Sequence, residues 1–382
     1  MKLNSVIISD ILRRGACKAT LLGGLLTTLS LSSCESLYDG MSDCRSAIRL
    51  AFNYDYHMEP GANAFASNVD CVTVYVFDMA GNYLTHFTEM SDVLRNESYR
   101  MELPLEEGEY HLVVYGGTAC RNATVEFTPD WTSTSSGHQN DILVTVPTDE
   151  NGESAKQLHD IDLRTGGLFY GTLDVTVTDE DYRKSNFREE TVHLMKDTNT
   201  IQVILQELSS PDQMNHEDYH FTIVDDNFVL DGYNNPVYET RAEGVQKCYK
   251  PFARENRIMG YVDSEGREGT QATEDNARPV QVACAEFSTS RLVTGNAETA
   301  RLIVTSAREQ EKDGTDREII NIPLITYLSA TLGYGDSWIK SEQEYLDRQS
   351  RWNLVFFLQK GRWVSTRVVV NSWIVRINNV DL

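Results

Sequence analysis

One spacing in the sequence could hold a catalytic metal ion, His216-Glu217-Asp218-Tyr219-His220. In zinc metalloproteases the H-E-x-x-H pattern places two histidine ligands on one helix face and a glutamate beside them as general base. Here Phe221 to Val224 has the composition of a strand, and in a strand residues four apart lie ~13 Å apart. That separation is too large for two ligands that must each lie ~2 Å from one zinc ion. We therefore predict a strand and no metal site, and keep a zinc metalloprotease as a third alternative.

The other patterns searched for do not support catalysis. The sequence has no G-x-S-x-G elbow, no Walker A loop and no G-x-G-x-x-G after a strand. Asp225, Asp226 and Asp231 are spaced unlike an EF-hand and no glutamate closes the loop, so they indicate a solvated turn. The sequence therefore predicts a protein that is not an enzyme and that has no cofactor.

Covalent chemistry of a different kind is indicated at Leu31-Ser32-Ser33-Cys34. A basic segment and an uncharged run from Ala19 to Leu31 precede it, which is the pattern of a secretory signal peptide. The run is shorter than the roughly 20 apolar residues that span a bilayer. The four residues resemble a bacterial lipobox, which predicts cleavage between Ser33 and Cys34 and a Cys34 carrying N-palmitoyl and S-diacylglycerol groups. An ordinary signal peptide with a chance cysteine nearby is the alternative.

The remaining cysteines agree with export. After Cys17 and Cys34 are set aside, five of the seven cysteines are left, so at least one thiol is unpaired. No C-x-x-C spacing indicates a zinc or redox site. We predict one disulfide among Cys44, Cys71 and Cys120, with buried unpaired cysteines as the alternative.

The charge excludes one class of partner. The formal net charge is −23, and removing the basic leader makes the mature chain more acidic still. Such a surface repels nucleic acid, so no nucleic-acid partner is expected.

The elements that follow the leader are predominantly strands. Val72, Val74 and Val76 alternate with polar and aromatic residues, and similar short runs bounded by turn residues recur along the chain. We predict an all-β fold of antiparallel β-sandwiches with minor helix. The predicted segments are a signal peptide (1–33), a lipidated linker (34–46), an N-terminal sandwich (47–185) and a C-terminal sandwich (186–382). Within them we predict an exposed insertion at 260–278, a strand at 319–327 and a helix at 341–352.

An ordered series of short motifs runs through the mature chain. The series comprises Cys34 to Asp39, Asp43-Cys44, Phe52 to Met58, Asn63 to Phe65, Val69 to Asp78, Tyr99 to Leu103, Gly108 to Tyr110, Tyr115 to Gly117, Asp197 to Thr200, Asp225 to Asn227, Asp231 to Tyr233 and Asn371 to Trp373. Together they resemble the fimbrial anchor (basal) subunit lipoprotein family of Bacteroidales.

The resemblance implies a fold and a role. It implies two tandem transthyretin-like β-sandwich domains in a subunit at the base of a surface fimbria, with acyl chains in the outer membrane. The implied partners are fimbrial shaft (pilin) subunits, bound by β-strand addition, in which main-chain hydrogen bonds hold an added strand. Ser46 to Tyr54 is the predicted first strand, retained so that the subunit terminates or limits assembly. The main alternative is a surface lipoprotein that binds a glycan or host ligand, which tryptophans lined along one face would favour.

Overall fold

The computed structural model describes residues 48–58, 61–117, 125–130, 136–154, 167–183, 188–238, 246–262, 278–332, 338–370 and 373–378. The strands are β1 (Ile48–Tyr56), β2 (Val72–Asp78), β3 (Tyr83–Glu89), β4 (Met101–Leu103), β5 (Gly108–Gly117), β6 (Glu126–Thr128), β7 (Leu143–Thr145), β8 (Leu168–Val177), β9 (Arg188–Lys196), β10 (Asn199–Glu207), β11 (Tyr219–Val224), β12 (Val229–Asp231), β13 (Cys248–Tyr249), β14 (Ala253–Val262), β15 (Arg278–Thr289), β16 (Arg301–Gln310), β17 (Asp316–Pro323), β18 (Arg351–Gln359), β19 (Arg362–Val370) and β20 (Trp373–Asn378). The helices are α1 (Phe65–Asn68), α2 (Asp179–Arg183), α3 (Leu324–Ser329) and α4 (Glu342–Arg348).

The first half of the chain forms a seven-stranded sheet in the order β3-β2-β5-β8-β9-β1-β4. β8 and β9 share only the pairs Phe169↔Lys196 and Tyr170↔Met195. The sheet therefore separates there into two leaves, β3-β2-β5-β8 and β9-β1-β4. The apolar side chains between them form one core cluster, which includes the alternating valines of β2, Val72, Val74 and Val76.

The second half forms a six-stranded sheet, β14-β15-β10-β18-β19-β20, and a four-stranded sheet, β13-β11-β16-β17. A second core cluster contains side chains from both sheets, among them Ile201, Phe287, Leu302 and Trp352, all nearly inaccessible to solvent. The predicted all-β fold class is confirmed. Among the strands that the structure describes, two pairs depart from the antiparallel pattern, since β1 runs parallel to β9 and β10 runs parallel to β18.

The two halves of the chain share one small sheet and one core cluster. A three-stranded sheet joins β6 and β7 of the first half to β12 of the second. Phe77 and Tyr115 of the first half belong to the second core cluster, and Ser46–Leu382 forms one compact unit. β9 lies beyond the predicted junction at 185/186 yet belongs to the first sheet, so the change of sheet falls between Lys196 and Asn199. The division into two domains stays a prediction.

Two predicted elements differ from the structure. The predicted strand at 319–327 ends at Pro323, where Leu324 begins α3, and the buried side chains of Leu324, Ile325 and Tyr327 explain its strand-like composition. The predicted helix at 341–352 begins as expected after Ser341, whose side chain accepts from the Glu344 amide. It ends at Arg348, because the chain turns extended at Gln349 and then pairs with β10.

Candidate functional site

β1 follows the predicted linker (34–46) in the chain and is the central strand of the leaf β9-β1-β4. Its side chains alternate between buried and half-buried, and Ile48, Leu50, Phe52 and Tyr54 are at most 5% exposed. Fully burying a large apolar side chain contributes roughly 1.5–3 kcal/mol, so these positions hold the strand firmly in the core. The Phe52 ring stacks on Phe65 at 5.3 Å between centroids.

Both edges of β1 are hydrogen-bonded. One edge pairs with β9 from Ile48 to Asn53. The other pairs with β4 over Ile48 to Leu50, and beyond that point the Asn63 side chain replaces a partner strand. Asn63 Oδ1 accepts from the Tyr54 amide (3.0 Å) and Asn63 Nδ2 donates to the Phe52 carbonyl (3.3 Å). The motif Asn63 to Phe65 therefore completes the pairing of the first strand.

The end of β1 contacts α4 and the residues after it. The Arg348 guanidinium lies over the Tyr56 ring, 3.9 Å from its centroid, and over Trp338 at 5.0 Å. Burial raises the pKa of Tyr54 to about 12, which a hydrogen bond with the Ser350 side chain partly offsets. Side chains from the second half therefore hold the end of the first strand.

A buried polar cluster lies close to this contact; we call Asp197, Asn234, Arg291, Gln343 and Asp347 the junction cluster. Arg291 donates from Nε and Nη2 to the two carboxylate oxygens of Asp347, at 2.8 and 2.9 Å. Its Nη1 donates to the Asn234 carbonyl, while Asn234 Nδ2 donates to Asp197 Oδ1 at 2.9 Å. Burial raises the pKa of Asp197 to about 7, opposed by the Arg291 charge and the Asn234 hydrogen bond.

The junction cluster ties α4 to the segments that follow β9, β12 and β15. Asn234 has a φ of +64°, a left-handed conformation in which asparagine is enriched among non-glycine residues. β12, just before it, pairs with β7 of the first half. The cluster therefore links the joint between the halves to the helix that holds β1.

A second buried carboxyl, Asp225, lies in the turn between β11 and β12. Asn296 Nδ2 donates to its Oδ1 at 2.5 Å, and Tyr238 donates to Asn296 Oδ1. Burial raises the pKa of Asp225 to about 7. Asp231 instead caps its own turn by accepting from the amides of Tyr233 and Asn235. The predicted solvated turn is thus wrong for Asp225, which is fully buried.

The predicted covalent sites fall partly outside the described residues. Ser33, Cys34, Cys44 and Cys120 all lie there, so cleavage, acylation and the pairing of the disulfide stay predictions. Cys71 is buried and disulfide-bonded.

Two other cysteines are free thiols. Cys248 and Cys284 are both buried. Burial raises the pKa of both, and that of Cys284 to about 11, so neither has thiolate character at neutral pH.

The H-E-x-x-H segment is not an α-helix. His216–Asp218 forms a 3-10 turn, and β11 begins at Tyr219, so the predicted strand starts after the first three residues. His216 lies against Asn256 of β14, while His220 Nε2 lies 3.6 Å from Asp316 of β17. Within the described ranges, no three His, Cys, Asp or Glu side chains are placed to hold a metal ion.

Sequence reasoning missed most of the polar residues at the joint. The sequence marks Asp197 only as part of a familial motif, and it marks Asp225 as part of a familial motif and of a predicted solvated turn. It does not mark Arg291, Asn296 or Asp347. Asn199 is another buried polar residue, since its Oδ1 accepts from the buried Trp352 indole, but it follows the polar residues Asp197 and Thr198, so no apolar run marks it in the sequence. The partners lie far apart in the chain, which no local pattern reports.

The described part of the chain contains no helix long and apolar enough to cross a membrane.

Several solved structures resemble the chain. A candidate adhesin from Bacteroides thetaiotaomicron is 34% identical with a TM-score of 0.67, and the match covers 87% of this chain and 97% of that one. A candidate polysaccharide-binding protein from the same organism is 25% identical with a TM-score of 0.66, covering 88% and 99%. The fimbrial anchor protein Mfa2 from Porphyromonas gingivalis shares the fold at 16% identity, with a TM-score of 0.57 and coverage of 86% and 98%. No curated protein matches the chain.

The family comparison covers nearly the whole chain after the predicted leader. The model described as "Mfa2: Fimbrillin-A associated anchor proteins Mfa1 and Mfa2" matches residues 41–379. That range contains β1, the junction cluster and every described strand. The predicted resemblance is confirmed, and the chain belongs to the family of fimbrillin-A associated anchor proteins.

Proposed function

We propose that the protein is the lipid-anchored basal subunit of a surface fimbria. Cys34 carries the acyl chains and holds the chain in the outer membrane, while the folded part holds the fimbria and limits its assembly. Membership of the anchor family and the pattern from the leader to Cys34 support this role. Two or three acyl chains give a durable anchor, because each buried CH₂ contributes roughly 0.8 kcal/mol.

The observation that carries the proposal is the place of β1. A subunit that extends a polymer by strand addition needs an open groove for its neighbour's strand. Here β1 occupies the middle of its leaf, with four buried side chains and partners on both edges. A chain that keeps this strand cannot accept another at the same position, so it ends a polymer there.

The proposed partners are shaft subunits of the fimbria, bound at a different edge by strand addition. Family membership also favours a structural protein over an enzyme. No cofactor or metal enters this role.

The anchoring is tested by a Cys34→Ala strain. We expect normal amounts of folded protein, with fimbriae shed into the medium rather than held on cells. A Ser32→Ala strain, which keeps the acylated cysteine and a small residue before it, is the matched control. Normal surface attachment in the Cys34→Ala strain would contradict the proposal.

The retained strand is tested on protein taken from the cell surface. Mass spectrometry should find a single N-terminus at an acylated Cys34, followed by uncut β1. A mature form whose N-terminus lies within or after β1 would show that the groove is opened, and the terminating role would be lost.

The alternative of a glycan-binding lipoprotein predicts tryptophans along one face. Among tryptophans whose side chains are described, Trp352 is buried, Trp363 is partly buried in the core and Trp338 is 39% exposed. Trp338 lies against Arg348 at the end of α4. These three side chains do not form a stacking face, so this observation favours the anchor.

A further inference from the structure

The open edge of β3 differs from the other strand edges in the described residues. β3 is the first strand of the seven-stranded sheet and pairs, among the described strands, with β2 alone. Its start is covered, because the Tyr83 amide donates to the Gly137 carbonyl. From Thr85 to Glu89 it keeps regular antiparallel register with Val76 to Val72. In such a strand every second residue directs its backbone amide and carbonyl away from the neighbour.

Edge strands are normally protected against further pairing by charged side chains, proline or short length. β4 is three residues long, β13 is two, and β6 and β12 are three each. The longer edge strands carry charges, namely Arg254, Glu255 and Arg257 in β14, Asp316, Arg317 and Glu318 in β17, and Arg376 in β20. β3, with the sequence Tyr-Leu-Thr-His-Phe-Thr-Glu, has no such residue before its last position.

The one charged residue of β3 faces its own chain. Glu89 Oε1 accepts from the amides of Met90 and Ser91 at 3.0 and 2.8 Å. Its hydrogen bonds with Ser91, the side chain first, lower the pKa of Glu89, so the group is engaged as a turn cap. It therefore does not protect the edge.

Exposed apolar side chains surround the same edge. Ten large apolar or aromatic side chains of the described residues are exposed, and four of them fall between Met79 and Val93. They are Met79 (54%) in the hairpin turn, Leu84 (48%) at the bulge that opens β3, Met90 (57%) after its end and Val93 (44%) in the next turn. A strand laid along β3 would cover Leu84 at one end and Met90 at the other.

The charges indicate which kind of strand fits. Asp78, Glu89, Asp92 and Glu97 lie along this segment, and its one arginine, Arg95, pairs with Asp92 at 3.0 Å. A second copy of this chain is disfavoured, because the net charge of −23 makes copies repel each other. The surface suits an extended segment of a different polypeptide that is apolar and neutral or basic.

We propose that the β3 edge is the docking surface for the shaft: an extended segment of a shaft subunit adds beside β3 and contacts Leu84 and Met90. The inference rests on the proposed function and specifies which edge performs it. β1 and β3 lie in different leaves of the sandwich, so the closed groove and the accepting edge are separate structures. One strand would thus end the polymer while another holds it.

The first experiment uses the full chain on cells, with a photo-crosslinking amino acid at Leu84 or, as the matched control, at Ile258 of the charged edge β14. Ile258 is 59% exposed, which makes it at least as accessible as Leu84. We expect a crosslink from position 84 to the shaft subunit and none from position 258. A shaft crosslink from position 258 alone, or a crosslink between two copies of this chain, would overturn the inference.

The second experiment compares the double variants Leu84→Lys/Met90→Lys and Ile258→Lys/Met259→Lys. Charges on β3 should release at least about tenfold more fimbriae into the medium than the wild type releases, and charges on β14 should not. Thermal unfolding of the purified variants should be unchanged, since all four side chains are exposed. Equal release by both variants, or none by the first, would overturn the inference.

Failure of the inference and failure of the proposed function are distinguishable. Co-purification of fimbriae with the wild-type lipoprotein is measured separately and tests the function alone. If fimbriae co-purify but position 84 captures no shaft subunit, the β3 assignment is wrong and the anchor role stands. If no fimbria co-purifies, the function itself fails.

Discussion

Asp197 and Asp225 place two carboxyl groups inside the molecule, and each has one oxygen with no hydrogen-bond partner in the described residues. A buried carboxylate with an unpaired oxygen is unfavourable, which is why burial raises the pKa of each to about 7. Both residues belong to familial motifs, and the sequence alone gives Asp197 no physical role and places Asp225 wrongly in a solvated turn. Asp197 belongs to the junction cluster, and Asp225 lies in the turn between β11 and β12.

Because the pKa of each carboxyl is raised in the folded protein, we expect the free energy of unfolding to fall as the pH rises towards 7. In the unfolded chain both carboxyls have the ordinary pKa of 3.8, so between pH 4 and pH 7 they are ionised there. In the folded protein the pKa of each is about 7, so over the same range each keeps its proton. Each group then lowers the free energy of unfolding by up to about 1.4 kcal/mol per pH unit. In Asp225→Asn this fall should be shallower, as measured by urea unfolding from pH 5 to pH 8. Asp212→Asn is the control, and equal slopes in Asp225→Asn and wild type would refute the assignment.

Breaking the Arg291–Asp347 ion pair by a single substitution should lower the free energy of unfolding strongly. The side chains are 15% and 7% exposed, so Asp347→Ala would leave a mostly buried guanidinium without its bidentate partner. We expect a loss of about 3 kcal/mol in the free energy of unfolding. Arg291→Met/Asp347→Leu should recover much of it, because the unpaired charge is gone. A single variant that unfolds like the wild type in urea would show that the pair is not a stabilising contact.

At the scale of elements, α4 is short and depends on its cap. Ser341 Oγ accepts from the Glu344 amide at 3.1 Å, and Glu342 and Glu344 lie in the first turn. Ser341→Ala should lower the free energy of unfolding by about 1 kcal/mol, and Ser341→Asp, which keeps an acceptor, should not. Chemical denaturation checks both variants. A loss of the same size in Ser341→Asp would mean that the cap is not the cause.

Strands with clear alternation were predictable from the sequence. In β10 the residues Ile201, Val203 and Leu205 share one buried face. β2 alternates in sequence although both of its faces are largely buried, with Val74 in one core cluster and Phe77 in the other. Neither strand of the β14–β15 pair is predicted: β14 carries exposed polar residues with a bulge before Gly260, whereas β15 is buried on both faces from Val282 to Ala285 and shows no alternation of burial there. The sequence of α3 predicts a strand because four of its six residues are apolar, and the same four are buried in the structure.

Partnerships over long sequence distances could not be predicted. The parallel pairing of β1 with β9 joins residues such as Ile48 and Arg188, and no local pattern encodes it. The same holds for Arg291 with Asp347 and Asn296 with Asp225. The proposed acylation of Cys34 rests on local spacing alone and stays a prediction, whereas the candidate accepting edge at β3 required the sheet order.

At the scale of the whole molecule, the two halves should unfold together. The second core cluster contains Phe77 and Tyr115 from the first half, and the β6-β7-β12 sheet and the junction cluster cross the same boundary. We expect one calorimetric transition whose calorimetric and van't Hoff enthalpies agree for residues 46–382. Two separated transitions would show that the halves are independent domains.

The parallel ladder between β1 and β9 has a mechanical consequence for the proposed anchor, in which the chain is tethered through Cys34. A load applied along the axis of β1 slides it past β9 and β4, so the hydrogen bonds of both ladders bear the force together. The same load applied across the sheet would open them one after another, as a zipper opens. Forced unfolding is governed by the rate of unfolding rather than by equilibrium stability. In the proposed anchor, resistance to detachment under load would then depend on how slowly β1 separates from β9 and β4.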